Sequence, residues 1–250
     1  ANAPDRLLWI SLQSAKLGSG QIMSTKTSRA ANLVANRLSR WAAGWRACGL
    51  NLLFPSRCAC CDVELAKVDD DLLLCNRCRG ALAPERGTYC RRCGAPVSAD
   101  PPEPESCKMC EGVRLKFDRV VSLGTYRSAL RETVLRMKDP RGELLSAAMG
   151  RLYWLRRGAE VTALAPDVVV PVPMFWRRRL ARGTNSPDIL AECLARRLHA
   201  PLEPRMIVRT RNTAPQSSLK PRQRRRNVRG AFRLRAGYAL DGLRAVLVDD

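Results

Sequence analysis

Four Cys-x-x-Cys pairs constrain the fold of this chain more than any other sequence feature. They take eight of its eleven cysteines: Cys58/Cys61, Cys75/Cys78, Cys90/Cys93 and Cys107/Cys110. Residues 62–74 separate the first two pairs and residues 94–106 the last two, so one unit is written twice with equal spacing. Two Cys-x-x-Cys turns supply the four thiolates of a tetrahedral zinc site. The sequence therefore predicts two structural Zn²⁺ ions, whose binding supplies folding free energy that a segment poor in large apolar residues lacks.

Several alternatives to this arrangement stay open from the sequence. Sequential pairing places the first two pairs around one ion and the last two around the other, whereas crossed pairing mixes them. Cys60, next to Cys61, could compete for a coordination position, and we interpret it as a spectator. A disulfide framework or a redox dithiol is the alternative to zinc, but disulfide frameworks are typical of short secreted chains and a redox dithiol needs only one pair.

The net charge of the chain indicates which kind of partner it binds. Its 250 residues contain 44 Lys and Arg against 23 Asp and Glu, a net charge of +21. This excess favours an anionic partner, which is a nucleic acid, a phosphorylated metabolite or an anionic membrane surface. No apolar run approaches membrane-spanning length, and the cysteine usage fits a reducing cytoplasm. The single histidine, His199, makes a Ser-His-Asp mechanism improbable.

The composition changes along the chain predict four segments. We expect a disordered leader over residues 1–27 and a basic amphipathic helix over residues 28–53. The cysteine segment, with its two expected zinc sites, follows over residues 54–113. Residues 117–250 then have the sequence pattern of an α/β domain.

Strand and helix patterns alternate in this last segment. Strands are predicted at residues 119–126, 167–173, 206–210 and 245–250, and helices at residues 128–138, 143–157 and from Ser186 onward. The alternation predicts a mostly parallel sheet with helices on both faces. Residues 205–235 carry eleven basic residues and no acid, and this stretch is interpreted either as a solvated face or as a phosphate-binding loop between strands.

With these pieces placed, the chain resembles the ComF family. The similarity rests on "LNLLFPSRCACC" (50–61), on "PVP" (171–173) before Arg182-Gly183-Thr184-Asn185, on the spacing from Thr213 to Phe232, and on "VLVDD" (246–250). The chain departs from the family pattern at Ser186, where the family usually has Gln, and at Asp139, where an aromatic residue often stands. The Thr/Gly-rich phosphate loop that follows the two acids in the family is not in the sequence, so the resemblance implies a C-terminally incomplete domain.

The resemblance implies a type I phosphoribosyltransferase-like domain behind the double zinc ribbon, which binds phosphoribosyl pyrophosphate or a related ligand with Mg²⁺. It implies that Asp249 and Asp250 bind the ribose hydroxyls, directly or through Mg²⁺. It also implies that the pyrophosphate is bound by Arg182, Gly183 and Asn185, with Lys138 adding a charge to the same cluster. A loop that closes over the ligand would carry Arg222, Arg224 and Asn227. The implied activity is phosphoribosyl transfer, although family membership alone does not establish catalysis.

The resemblance also links the chain to natural competence, DNA uptake and competence-machinery proteins. Two rival functions remain from the sequence. In one, the ribbons and residues 205–235 bind single-stranded DNA and the transferase fold is an inactive scaffold. In the other, the ribbons recruit protein partners as an adaptor. Because the sequence stops before the phosphate loop, we expect the chain to bind the phosphoribosyl ligand poorly, to be inactive as a transferase and to tend to aggregate.

Overall fold

A computed structural model describes residues 55–65, 71–83, 89–97 and 107–250. The expected leader over residues 1–27 and the amphipathic helix over residues 28–53 lie outside these ranges. The chain divides into two compact units, one ending at Cys75 and the next beginning at Asn76. Within the described ranges, every helix is too short or too polar to span a bilayer.

The predicted repeat is visible in the backbone of the first and third Cys-x-x-Cys turns. Cys58 N–H donates to Val63 O and Cys90 N–H to Ala95 O, at 2.8 and 2.9 Å. In both turns the residue four positions after the first cysteine has a left-handed φ, 62° at Asp62 and 73° at Gly94. Each turn is closed by an antiparallel bridge, Arg57 to Glu64 and Tyr89 to Pro96. The two copies therefore share one knuckle conformation.

The second unit is built from helices and short strands. The helices are α1 (Asn76–Leu82), α2 (Ser128–Met137), α3 (Glu143–Ala163), α4 (Trp176–Arg182), α5 (Ser186–Leu198) and α6 (Pro221–Val228). The strands are β1 (Val168–Pro171), β2 (Ile207–Arg209), β3 (Phe232–Leu234) and β4 (Ala245–Val248), and a 3₁₀ turn spans Gln216–Ser218. β1 pairs in parallel with β4, from Val168 opposite Ala245 to Pro171 opposite Val248. β2 pairs antiparallel with β3. The predicted α/β fold class is confirmed, with an antiparallel strand pair in addition to the parallel one.

Strand β1 lies at the centre of the core. Its alternate side chains point to opposite faces, and both faces are packed. On one face, Val169 packs with Ala191 and Leu194 of α5. On the other face, Val168 and Val170 pack against Met206. A strand buried on both faces needs a continuous apolar run, and the run Val168–Val170 supplies it.

Two of the predicted elements are wrong in part. Residues 119–126 form no strand, because their polar backbone groups have other partners: Val120 N–H donates to Arg91 O at 3.1 Å, and the Tyr153 hydroxyl donates to Val121 O at 3.0 Å. Helix α3 does not end at Gly158 but continues to Ala163. Trp154 covers Gly158 closely enough that an added Cβ would lie 2.9 Å from the indole ring, so this glycine provides space for packing instead of ending the helix.

The sequence pattern also missed elements in the basic regions. Helix α6 lies within the stretch 205–235, between β2 and β3, and strand β3 follows it. Helix α4 connects the "PVP" turn to α5 and has no buried residue. An apolar periodicity cannot reveal a helix that buries no side chain.

Candidate metal centres and candidate anion site

The eight paired cysteines form two compact sulfur clusters. Within each cluster the sulfur atoms all lie within 4.8 Å of one another, and the members are Cys58, Cys61, Cys75, Cys78 and Cys90, Cys93, Cys107, Cys110. The structure thus groups the pairs sequentially and does not cross them. Cys60 belongs to neither cluster, and none of the described cysteines forms a disulfide.

The sulfur separations fit a shared metal ion and are too long for a disulfide. The Sγ atoms of Cys61 and Cys75 are 3.6 Å apart, those of Cys90 and Cys110 3.6 Å, and those of Cys93 and Cys107 3.7 Å. A tetrahedron with Zn–S bonds of about 2.3 Å has sulfurs about 3.8 Å apart. A disulfide would need about 2.05 Å. The donor set therefore fits Zn²⁺ in both clusters.

Hydrogen bonds from backbone N–H groups lower the pKa of some of these thiols. Burial by itself would raise the pKa of Cys58, but N–H groups of Cys75, Cys61 and Cys60 outweigh it and lower that pKa to about 6. The Cys75 N–H lies 3.4 Å from the Cys58 sulfur. A thiolate in the free protein is the form that binds zinc.

In the second cluster the pKa values of Cys93 and Cys107 are shifted in opposite directions. Burial raises the pKa of Cys93, and the neighbouring sulfurs of Cys107, Cys90 and Cys110 raise it further. Burial would also raise the pKa of Cys107, but the N–H groups of Met109 and Cys110 outweigh it and lower that pKa. Four thiolates at such distances repel one another, and a divalent cation is what relieves the repulsion.

The second cluster is anchored to helix α3 through Tyr89, which precedes Cys90. Tyr89 is 5% exposed, and its hydroxyl lies 2.7 and 2.9 Å from the two carboxylate oxygens of Glu160. The guanidinium of Arg157, itself 5% exposed, stacks over the Tyr89 ring at 4.9 Å and lies 3.6 Å from Glu160. We name Tyr89, Arg157 and Glu160 the Tyr89 anchor. Sequence reasoning missed it, because its members are separated by about seventy positions and carry no shared motif.

The second candidate site lies where β4 ends. Asp249 and Asp250 follow the last residue of this parallel strand, and Lys138 caps the end of α2. Lys138 Nζ lies 2.7 Å from Asp250 Oδ1, with the Asp250 side chain 10% exposed. Burial of its carboxyl group and the charge of Asp250 raise the pKa of Asp249 to about 6, against the opposing charges of Lys138 and Arg209. Because Asp249 as a residue is exposed, solvent moderates the energetic consequence.

Arg209 adds a cation that the sequence analysis did not select. It ends β2, and its guanidinium donates to the Thr213 hydroxyl and lies 5.3 Å from the Phe232 ring centroid. Its Nε is buried without a hydrogen-bond partner. Burial, followed by the charge of Arg178, lowers the pKa of Arg209, while Asp249 opposes the shift. Its position directly after the apolar residues of a strand was the signal that could have identified it.

The remaining predicted ligand residues lie on two other parts of the unit. Arg182 is exposed at the end of α4, and Gly183 follows it with a φ of 79°. Asn185 is 4% exposed, and its amide donates to Val172 O at 3.3 Å and to Asp188 Oδ1 at 2.9 Å. The Asn185 amide thus ties the "PVP" turn to the first turn of α5.

Arg222, Arg224 and Asn227 all lie on α6. Arg224 Nε donates to Leu219 O at 3.1 Å, and Asn227 donates to Ala214 O at 2.9 Å. Asn227 also lines an open pocket of about 460 Å³, which it shares with Thr213. Arg209 connects the pocket to the end of β4, because it donates to Thr213 and interacts with the charge of Asp249.

The fold and the two cysteine clusters define a class of protein: an α/β protein that carries two zinc-ribbon cysteine sites. The family model for a double zinc ribbon domain matches residues 49–111. The DNA utilization protein YhgH of Escherichia coli K12 is 32% identical over 202 residues, which are 80% of this chain and 86% of that protein.

Competence protein F of Haemophilus influenzae is 28% identical over 203 residues, 79% of this chain and 85% of that protein. Competence protein ComFC of Bacillus subtilis is also 28% identical, over 77% of this chain and 81% of that protein. The chain belongs to the ComF family. No solved structure matches it significantly.

Proposed function

We propose that this ComF-family protein binds phosphoribosyl pyrophosphate, or a related phosphorylated ribose, at the end of β4. The observation that carries the proposal is the pair Asp249 and Asp250 at the carboxyl end of a parallel strand, facing Lys138 and Arg209. Open α/β sheets bind their ligands in the crevice outside the carboxyl ends of the strands.

The charges of this site suit a ligand that carries both hydroxyl and phosphate groups. The oxygens of Asp249 and Asp250 accept hydrogen bonds from ribose hydroxyls, or they hold Mg²⁺, which prefers carboxylate and phosphate oxygens. Arg209 brings a buried Nε–H group without a partner, and Lys138 brings an ammonium group. Cations placed around a phosphoryl group stabilise its charge and fix its orientation.

The residues of α4 and α6 complete the proposal. Arg182 and Gly183 stand before the N-terminus of α5, where backbone N–H groups favour an anion. Arg222, Arg224 and Asn227 belong to the helix beside the open pocket, from which a closing movement would cover a bound ligand. Asn185 supports this arrangement by holding the "PVP" turn.

We also propose that the two cysteine clusters hold structural zinc and that the protein acts in the cytoplasm in the handling of DNA. The first part is supported by the sulfur separations and by the double zinc ribbon match. The second is supported by the names of the relatives, which refer to DNA utilization and to competence. Free thiolate clusters persist in a reducing compartment.

Calorimetric titration of the zinc-loaded protein with phosphoribosyl pyrophosphate tests the ligand. We expect heat of binding that requires Mg²⁺ and disappears in the double variant Asp249→Asn/Asp250→Asn. Asp241→Asn is the matched control, because Asp241 is an exposed acid on the turn before β4. Binding that is independent of Mg²⁺, or equal in the double variant and the control, would show that the acids do not form the site.

A further inference from the structure

Helix α4 turns an apolar ridge toward solvent. Trp176 is 55% exposed and Leu180 is 78% exposed, although both are large hydrophobic residues. Residues four positions apart lie on the same side of a helix, so the two side chains form one ridge. No residue of α4 is buried, and the helix therefore contributes nothing to the core. Large side chains exposed together in this way mark an interaction surface.

Two arginine contacts hold α4 in place. Arg178 Nη2 donates to Thr213 O at 2.5 Å, and Arg179 forms an ion pair with Asp188 at 2.5 Å. Arg178 is about half a turn away from Trp176 around the helix axis. The helix is thus fixed by arginine contacts, while the side chains of Trp176 and Leu180 stay exposed.

The charge around the ridge selects an anionic partner. The sequence of α4, WRRRLAR, contains four arginines and no acid. The guanidinium of Arg177 lies 5.2 Å from the centroid of the Trp176 ring. Phe175 adds a second ring, 5.9 Å from that of Trp176. An exposed indole with an arginine against it is therefore surrounded by further positive charge.

We propose that Trp176, Arg177 and Leu180 form a binding surface for single-stranded DNA, named here the α4 ridge. A base stacks on the exposed part of the Trp176 indole, and Arg177, whose guanidinium lies beside that ring, contacts the neighbouring phosphate. Aromatic platforms flanked by cations are the usual means of binding single strands without sequence preference. A duplex keeps its bases stacked on one another, so it cannot offer a base face to the indole.

This surface is separate from the site of the proposed function. Neither Trp176 nor Leu180 takes part in the contacts made by Lys138, Asp249 or Asp250. Loss of phosphoribosyl pyrophosphate binding and loss of DNA binding can therefore be observed independently, and either proposal can fail without the other.

Fluorescence anisotropy with the full zinc-loaded chain tests the α4 ridge. The probe is a labelled oligothymidylate of roughly 16 nucleotides, the upper end of known single-strand site sizes. We expect Trp176→Ala to weaken binding about tenfold, the usual scale for one stacked base. Leu155→Ala is the matched control, because Leu155 on α3 is 60% exposed, and it should leave the affinity unchanged.

A second comparison isolates stacking from charge. An abasic strand of the same length keeps the phosphates and loses the bases, so Trp176→Ala should have little effect on its binding. Arg177→Gln should reduce the salt slope of log affinity by about 0.7, the value for one phosphate of a single strand.

Three outcomes would overturn the proposal. The first is an equal effect of Trp176→Ala on thymidylate and abasic strands, or no effect on either. The second is binding to anionic phosphatidylglycerol vesicles that Trp176→Ala abolishes while DNA affinity stays intact, which would make the ridge a membrane contact. The third is a lower thermal midpoint in Trp176→Ala than in Leu155→Ala, which would show that the indole packs against the chain itself.

Discussion

The Tyr89 anchor provides the sharpest test of how the second cysteine cluster is joined to the α/β unit. The perturbation is Tyr89→Phe, which removes one hydroxyl and keeps the ring. The ring retains its contact with the Arg157 guanidinium, 4.9 Å from the centroid. The change therefore removes the hydrogen bond to Glu160 and the longer one that Arg157 Nη1 donates to the hydroxyl at 3.5 Å, with little change in packing.

The expected loss of stability follows from the burial of this hydrogen bond. Tyr89 is 5% exposed and the Glu160 side chain 15% exposed, so water replaces the lost hydroxyl poorly. A hydrogen bond to a charged group contributes about 1.5–3 kcal/mol. Because Arg157 remains beside Glu160, we expect a decrease of about 2 kcal/mol in the free energy of unfolding. In a domain of this size that corresponds to a midpoint lower by about 4–8 °C.

Thermal and urea unfolding of the zinc-loaded protein measure this loss. Tyr126→Phe is the matched control, since Tyr126 is 53% exposed, and it should change stability by less than about 0.5 kcal/mol. Equal stabilities for the two variants would refute the reasoning, because the Tyr89 hydroxyl would then contribute no more than an exposed one. Zinc content must stay unchanged in Tyr89→Phe, so that the effect belongs to the anchor and not to metal loss.

Three further predictions concern the knuckles, the metal and the acids. Gly94→Ala and Gly112→Ala both place alanine at a positive φ, 73° and 67°, which costs roughly 1–2 kcal/mol. Only at Gly94 does the new Cβ meet Val120, at 2.9 Å, so unfolding should show a larger loss there. Elemental analysis should find two zinc ions, one in each sulfur cluster, and Cys75→Ser should leave one. The pKa of Asp249 is raised from 3.8 to about 6 in the folded protein. At a pH between these two values, the folded state therefore keeps a proton that the unfolded state has released. The free energy of unfolding should therefore contain a contribution that falls as pH rises from about 4 to about 6, and Asp249→Asn should remove it.

Each of these predictions has an outcome that contradicts it. Equal losses in the two glycine variants would mean that Val120 yields without cost. One zinc ion in the unaltered protein would rule out the two-site arrangement. A pH profile that is the same in Asp249→Asn and Asp241→Asn would remove Asp249 as its cause.

The metal clusters and much of the fold were predictable because their signals are local. Two cysteines three positions apart share one knuckle, and the equal spacers repeat it, so spacing predicts four knuckles and two four-thiolate sites, whereas their sequential grouping is decided by the structure. Helix α5 begins at Ser186 as expected, and β1 lies within the apolar run of residues 167–173. The strand expected over residues 119–126 failed because β propensity depends on finding a strand partner, and the backbone of Val120 instead bonds to Arg91.

The sequence by itself determined the number of thiolate sites, the α/β class and the excess of positive charge. Those properties follow from residue types at short spacings and from their sums. Only the tertiary structure decided that Tyr89 meets Glu160, that Arg209 stands near Asp249 and that Trp176 faces solvent. Each of these depends on where distant segments come to lie, and an indole has the same sequence signal whether the fold buries it or leaves it exposed.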